Sequence, residues 1–159
     1  MGIDASQLRQ RVIRPTLEYL GCCSATAETL LLGIAAAQSE LGRCLAQHQR
    51  YGLFQISAER HRHCWDSYLA RDPCRASRVR GLASQHAFLE DPQLELTVNL
   101  RYATAIAWLM IEAQQIELPA TPDISLFAQI WQQVFEPDKR TSDFTQAWQH
   151  CLAGWQLAA

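Results

Sequence analysis

Two short stretches, AAAQSELGRC at residues 35–44 and YGLFQIS at 51–57, decide how this chain is read. The first closes a run, AETLLLGIAAAQSEL, in which Leu30, Ile34, Ala37 and Leu41 fall on one helical face. Small residues from Gly33 to Ala37 let another helix pack closely against it. Ser24 or Thr26 supplies an N-cap, Glu28 suits the positive end of the helix, and Gly42 gives the stop. The second stretch belongs to the one strand-like or irregular part of the chain, a short strand or hairpin expected around residues 48–57.

Outward from there the periodicity is helical nearly everywhere. Residues 5–20 form a helix that Pro15 kinks or divides. Ser57 opens another that carries Trp65, Tyr68 and Leu69, and a short helix follows Pro73. The apolar run LELTVNLRYATAIAWLMIEAQ is expected as one long central helix. Pro119 and Pro122 mark a turn, and two aromatic-rich helices, ISLFAQIWQQVF and SDFTQAWQHCLAGW, flank Pro137. With no repeat or low-complexity tract, residues 1–159 read as a single all-α domain.

Composition narrows the function classes. Of 159 residues, 48% are hydrophobic and 19% charged, which suits one globular domain with a sizeable core. A net charge of -2 gives no field directed at nucleic acid. The densest basic run, RDPCRASRVRG at 71–81, reads as a solvated helix face. No stretch reaches the ~20 apolar residues of a membrane span, and MGIDASQLRQRVIRP has no apolar signal core, so neither membrane insertion nor export is expected. The six cysteines, at 22, 23, 44, 64, 74 and 151, read as reduced thiols. His61, His63 and Cys64 crowd three soft ligands into four residues, but they do not share one helix face and no second cluster completes a tetrahedral set. No metal or cofactor is expected, and there is no nucleophile elbow or phosphate-binding loop.

The order LLLGIAAAQSELG, YGLFQIS, HCWDSYL, NLRYATAIAW and a late aromatic helix resembles the lysozyme-like superfamily, in particular small phage proteins related to lytic transglycosylases and goose-type lysozymes. The resemblance covers about residues 26–150 and implies a lysozyme-like helical domain. In that family a helix commonly ends in Glu-Ser, the Glu serving as general acid. The same register here puts Gln38 on the acid and Ser39 on the serine. The resemblance further implies that Gly52, Leu53, Phe54 and Gln55 wall a sugar groove, with the Gln55 amide or nearby backbone positioning substrate; the alternative for Gln55 is to satisfy buried backbone groups. Where the family carries Tyr-Asn on its late helix, this chain has QQVFEPDKR, so Val134 and Phe135 or their neighbours stand in.

Glycoside cleavage needs a proton delivered to the leaving oxygen, and a carboxyl in an apolar pocket supplies it. A Gln amide has none to give, and that loss is worth on the order of 10²- to 10⁴-fold in rate. Glu40 is the alternative acid, but two residues along a helix place it ~160° from Gln38. Glu59 and Asp66 are carboxylates beyond the groove segment, Trp108 and Trp131 are assigned to the core, and Trp155 to an exposed contact.

Three functions follow as expectations. The first is a virion component of tail or baseplate, structural or touching peptidoglycan glycan strands, with a degenerate acid. The second is an active muramidase or lytic transglycosylase that uses Glu40. The third is an assembly adaptor that meets other virion proteins through the apolar tail CLAGWQLAA, where Trp155 and Leu157 have little chain left to bury them.

Overall fold

A computed structural model describes residues 2–155. They are mainly helical, with a small antiparallel sheet set between the third and fourth helices. The expected long first helix is continuous but not uniform. It runs as α1 (Ala5–Leu8), a π-helical stretch (Arg9–Ile13) and α2 (Arg14–Leu20), ending at Gly21 in the left-handed conformation. Pro15 has no N–H to give to the preceding turn, and the helix widens just ahead of it instead of breaking.

The buried centre is α3 (Ala25–Ser39), capped by Ser24, whose side chain accepts from Ala27 N over 3.0 Å. It is apolar almost all round, and every residue from Thr26 to Ala36 is buried. Gly33 lets α10 (Thr141–Cys151) cross it closely: a Cβ there would lie 2.7 Å from Phe144 and 2.8 Å from Trp148. Helix α3 stops at Ser39, two residues before the expected end. Glu40 and Leu41 turn into the left-handed region (φ 50° and 58°) ahead of Gly42, so the chain reverses before the glycine is reached.

Three two-residue strands follow: β1 (Ala46–Gln47), β2 (Arg50–Tyr51) and β3 (Ile56–Ser57). They pair antiparallel in the order β1-β2-β3, with Gln47 opposite Arg50 and Tyr51 opposite Ile56. His48 and Gln49, both at positive φ, form the tight turn of the first hairpin. The second connection is Gly52 to Gln55. Gly52 (φ 79°) has its α-carbon pressed against the Leu96 carbonyl, where a Cβ would fall 1.7 Å from the oxygen.

Beyond the sheet come α4 (Ala58–His63), a π-helical turn (Cys64–Tyr68), a 3-10 turn (Leu69–Arg71), α5 (Pro73–Leu82) and α6 (Gln85–Glu90). The expected single central helix is two, α7 (Pro92–Val98) and α8 (Leu100–Glu112). Asn99 divides them: its side chain accepts from Tyr102 N at 3.0 Å, and this N-cap begins a new helix where apolar spacing alone suggested continuation. Helix α8 is buried from Tyr102 to Leu109, and α9 (Ile124–Val134) completes the core. Trp108 and Trp131 are core residues, as expected (7% and 1% exposed). Trp155 is half-buried with Arg9 above its ring at 5.5 Å, while Leu157 lies outside the described residues. No helix of the described residues is long and apolar enough to cross a membrane.

Candidate functional site

The C-terminal end of α3 meets the Gly52–Gln55 turn and α9 at one corner, held by two adjacent side chains. Gln38 is half-buried, and both ends of its amide are used. Its nitrogen donates to the Phe54 carbonyl at 3.0 Å, and its oxygen accepts from the Trp131 indole N–H at 3.1 Å. Ser39, 3% exposed, donates to the Leu53 carbonyl at 2.6 Å and accepts from Gly42 N at 2.9 Å. One residue pair therefore ties the end of α3 to the turn, to its own reversal and to α9.

The turn itself is internal. Gly52, Leu53, Phe54 and Gln55 are all buried, so the positions expected to wall a groove present their side chains to the protein interior. Gln55 sits at positive φ and spends its amide on the backbone, donating to Gly52 O at 2.8 Å and Cys44 O at 3.1 Å. The Gly52 carbonyl also accepts from Gln55 N at 3.1 Å, and the side chain joins this turn to the Cys44 carbonyl. What this segment offers toward Gln38 is main chain.

Glu40 stands apart from this corner. Its left-handed backbone turns its carboxylate into solvent, where it pairs with Arg43 at 2.9 Å. It borders a concavity built by the two chain ends, Gly2 to Ser6 and His150 to Trp155, and not by the Gly52–Gln55 turn.

An open groove of about 870 Å³ lies elsewhere on the surface, lined by neither Gln38, Trp131 nor the Gly52–Gln55 turn. Ser57 of β3 and Val134, one helical turn after Trp131 on α9, sit on its rim with Met110. Its polar lining comes from one face of α4 and the π-helical turn: Glu59, His63 and Ser67, at successive intervals of four. Ser67 Oγ and His63 Nδ1 lie 3.2 Å apart. Arg60 reaches across, donating to the carbonyls of Val134 (3.2 Å) and Phe135 (2.6 Å), where its charge complements the negative end of α9. Arg50 joins it, pairing with the buried Glu136. Of these residues, the sequence points to Val134 only as a stand-in for the Tyr-Asn of the family it resembles, to Glu59 only as a carboxylate beyond the groove segment, and to His63 only in a metal context. The four-residue spacing of 59, 63 and 67 was the available signal.

The soft-ligand cluster divides by burial, although His63 and Cys64 both line the groove. His61 is buried between Gln93 and Tyr102, His63 is exposed, and Cys64 is buried with its thiol pushed up to about 12 by burial and the nearby Glu112. No group of three potential ligands able to hold a metal occurs among the described residues.

A second polar anchor lies behind α3. Glu28, 3% exposed, receives Arg9 (2.6 Å) and Arg14 (2.7 Å) and a thiol contact from Cys23 (3.3 Å). Burial alone would push its carboxyl up, but the hydrogen bonds from Arg14, Arg9 and Cys23 outweigh burial and hold it near 2. The π-helical stretch before Pro15 brings Arg9 and Arg14 to the same carboxylate. No family model matches this chain, and no curated protein or solved structure matches it.

Proposed function

We propose that this chain is a lysozyme-like protein of phage type that has exchanged its catalytic acid for an amide, and that it serves in the virion tail or baseplate as a component touching peptidoglycan glycan strands. The observation that carries the reading is the fit of Gln38 to its surroundings. One neighbour, Phe54 O, is an acceptor, and the other, Trp131 Nε1–H, is a donor. An amide matches both at once; an ionised carboxylate would face the Phe54 carbonyl with no hydrogen to offer. The corner is thus adapted to a residue that cannot protonate a leaving group.

Two further features support the reading. The groove includes Val134, one helical turn from Trp131, and is large enough for sugar rings, with hydroxyl and charged groups from residues 57–71 facing Leu109, Met110 and the Gln114 amide. Glu40, the acid an active enzyme would need, is paired with Arg43 in solvent and borders a different concavity. A retained scaffold with a neutral group at the acid position suits binding without turnover.

The test is co-sedimentation with insoluble peptidoglycan, wild type beside Met110→Trp, which fills the groove from α8. The expected result is sedimentation of the wild type and its loss in the variant. Sedimentation no greater than that of an unrelated protein of similar charge would overturn the glycan-contacting role.

A further inference from the structure

We propose that the cleft between the Cys64–Tyr68 turn, α5 and α6–α7 binds a small zwitterion, a free amino acid or short peptide bearing both a carboxylate and an ammonium group. The cleft has a volume of about 600 Å³ and is lined by Arg62, Trp65, Asp66, Arg80, Phe88 and Gln93 among others. It uses other residues of the π-helical turn than the glycan groove does, and stands independently of that reading.

Its walls are held by a buried relay. Trp65 Nε1–H donates to the Tyr102 oxygen at 2.9 Å, and the Tyr102 O–H donates to His61 Nε2 at 2.6 Å. His61 then donates through Nδ1 to Gln93 Oε1 at 2.9 Å. Tyr102 and His61 are 0% and 2% exposed, and this direction satisfies every member with a neutral imidazole. Because His61 engages the Gln93 oxygen, the amide nitrogen of Gln93 is left to donate, and it has no acceptor among the described residues. The relay fixes two cleft-lining side chains, Trp65 and Gln93, in defined orientations.

Charge completes the site. The Arg80 guanidinium lies over the rings of Phe88 (4.6 Å) and Trp65 (5.4 Å), which themselves meet edge to face at 5.8 Å. Stacking steadies the guanidinium and leaves its N–H edge for a planar acceptor. Arg62, Asp66 and Arg80 take part in no ion pair among the described residues, although all three line one cleft. A carboxylate matches the guanidinium geometry and the Gln93 N–H. Asp66, the one carboxylate beside two guanidinium groups in the lining, is the partner available to the ammonium end. Arg80 covers the aromatic faces on which a neutral sugar would stack.

The test follows the Trp65 indole N–H by NMR, assigned through Trp65→Phe, while trialanine is added. N-acetyl-trialanine, trialanine amide and inorganic phosphate are titrated in parallel. A saturable shift with trialanine is expected, weakened by about tenfold or more when either end is blocked, and similarly in Arg80→Met and Asp66→Asn. The Trp65 resonance in its bonded position verifies that the variants keep the relay. No saturable shift up to about 10 mM trialanine, or equal affinity for the blocked peptides, would overturn the proposal. Phosphate binding as tightly as trialanine would overturn it in favour of a plain anion site.

Discussion

Trp131 gives its one side-chain hydrogen-bond donor to the side-chain oxygen of Gln38, across 3.1 Å and 93 residues of chain. With the Gln38 nitrogen on Phe54 O, this contact defines the polarity of the corner: one donor and one acceptor, both fixed by the surrounding core.

That polarity predicts how Gln38→Glu behaves with pH. The introduced carboxyl satisfies Phe54 O only when protonated, so its folded-state pKa is raised above the unfolded value of about 4.3. A raised pKa gives stability that is complete below the unfolded value and lost as pH rises through the folded one. Urea melts should therefore show the variant close to wild type at pH 4 and weaker by about 2 kcal/mol at pH 8. A difference independent of pH would contradict the assigned contacts.

Ser39→Ala removes the hydroxyl that the Leu53 carbonyl and Gly42 N both use. Two buried or half-buried backbone groups lose their partner, and the expected cost is about 2–3 kcal/mol. Thermal or chemical unfolding measures it directly, and a cost within error of zero would refute the latch.

The Glu28 anchor sets the acid limb of stability. Its folded pKa, near 2, lies below the unfolded value, so its contribution is present above about pH 4.3 and falls away as pH drops toward 2. Glu28→Gln should flatten that limb and lower stability at pH 7 by about 2 kcal/mol, moderated because Arg14 is partly solvated. Unfolding curves from pH 2 to 7 on both proteins test the difference in slope.

Gly52→Ala should yield no folded protein. The left-handed backbone and the Leu96 carbonyl at 1.7 Å from any Cβ act together, and the contact is with main chain, which cannot swing aside. Recovery of a variant with wild-type melting would mean that the turn is built differently.

Much of the fold was legible in the sequence because its helices carry strong apolar periodicity and conventional caps, as at Ser24 and Ser57. The errors fell where a local polar contact overrode that pattern. Asn99 capped a new helix inside an unbroken apolar run, and Glu40 and Leu41 entered the left-handed region before Gly42. Helix α6 was not anticipated; Ser84 was its cap signal, with few apolar residues behind it. At the corner, Gln38 was visible in one letter, but the helical angle expected for Glu40 does not apply, because its left-handed backbone lies beyond the end of α3. The inward orientation of Leu53, Phe54 and Gln55 was not, since it depends on Leu96 and Ser39 approaching from distant parts of the chain. The relay from Trp65 to Gln93 could not be read from spacing, because its hydrogen bonds join residues 32 to 41 positions apart; the groove showed only the four-residue spacing of 59, 63 and 67, and not the approach of Val134 from the far end of the chain.

Release of soluble muropeptides from purified peptidoglycan, by wild type beside Gln38→Glu and Glu40→Gln, tests the central claim most directly. The proposed reading, in which Gln38 stands at the position of a lysozyme-like acid, predicts no release by wild type, no effect of Glu40→Gln, and measurable release by Gln38→Glu at mildly acidic pH, where the new carboxyl is protonated. Release by wild type that Glu40→Gln abolishes would contradict the account and make Glu40 the acid.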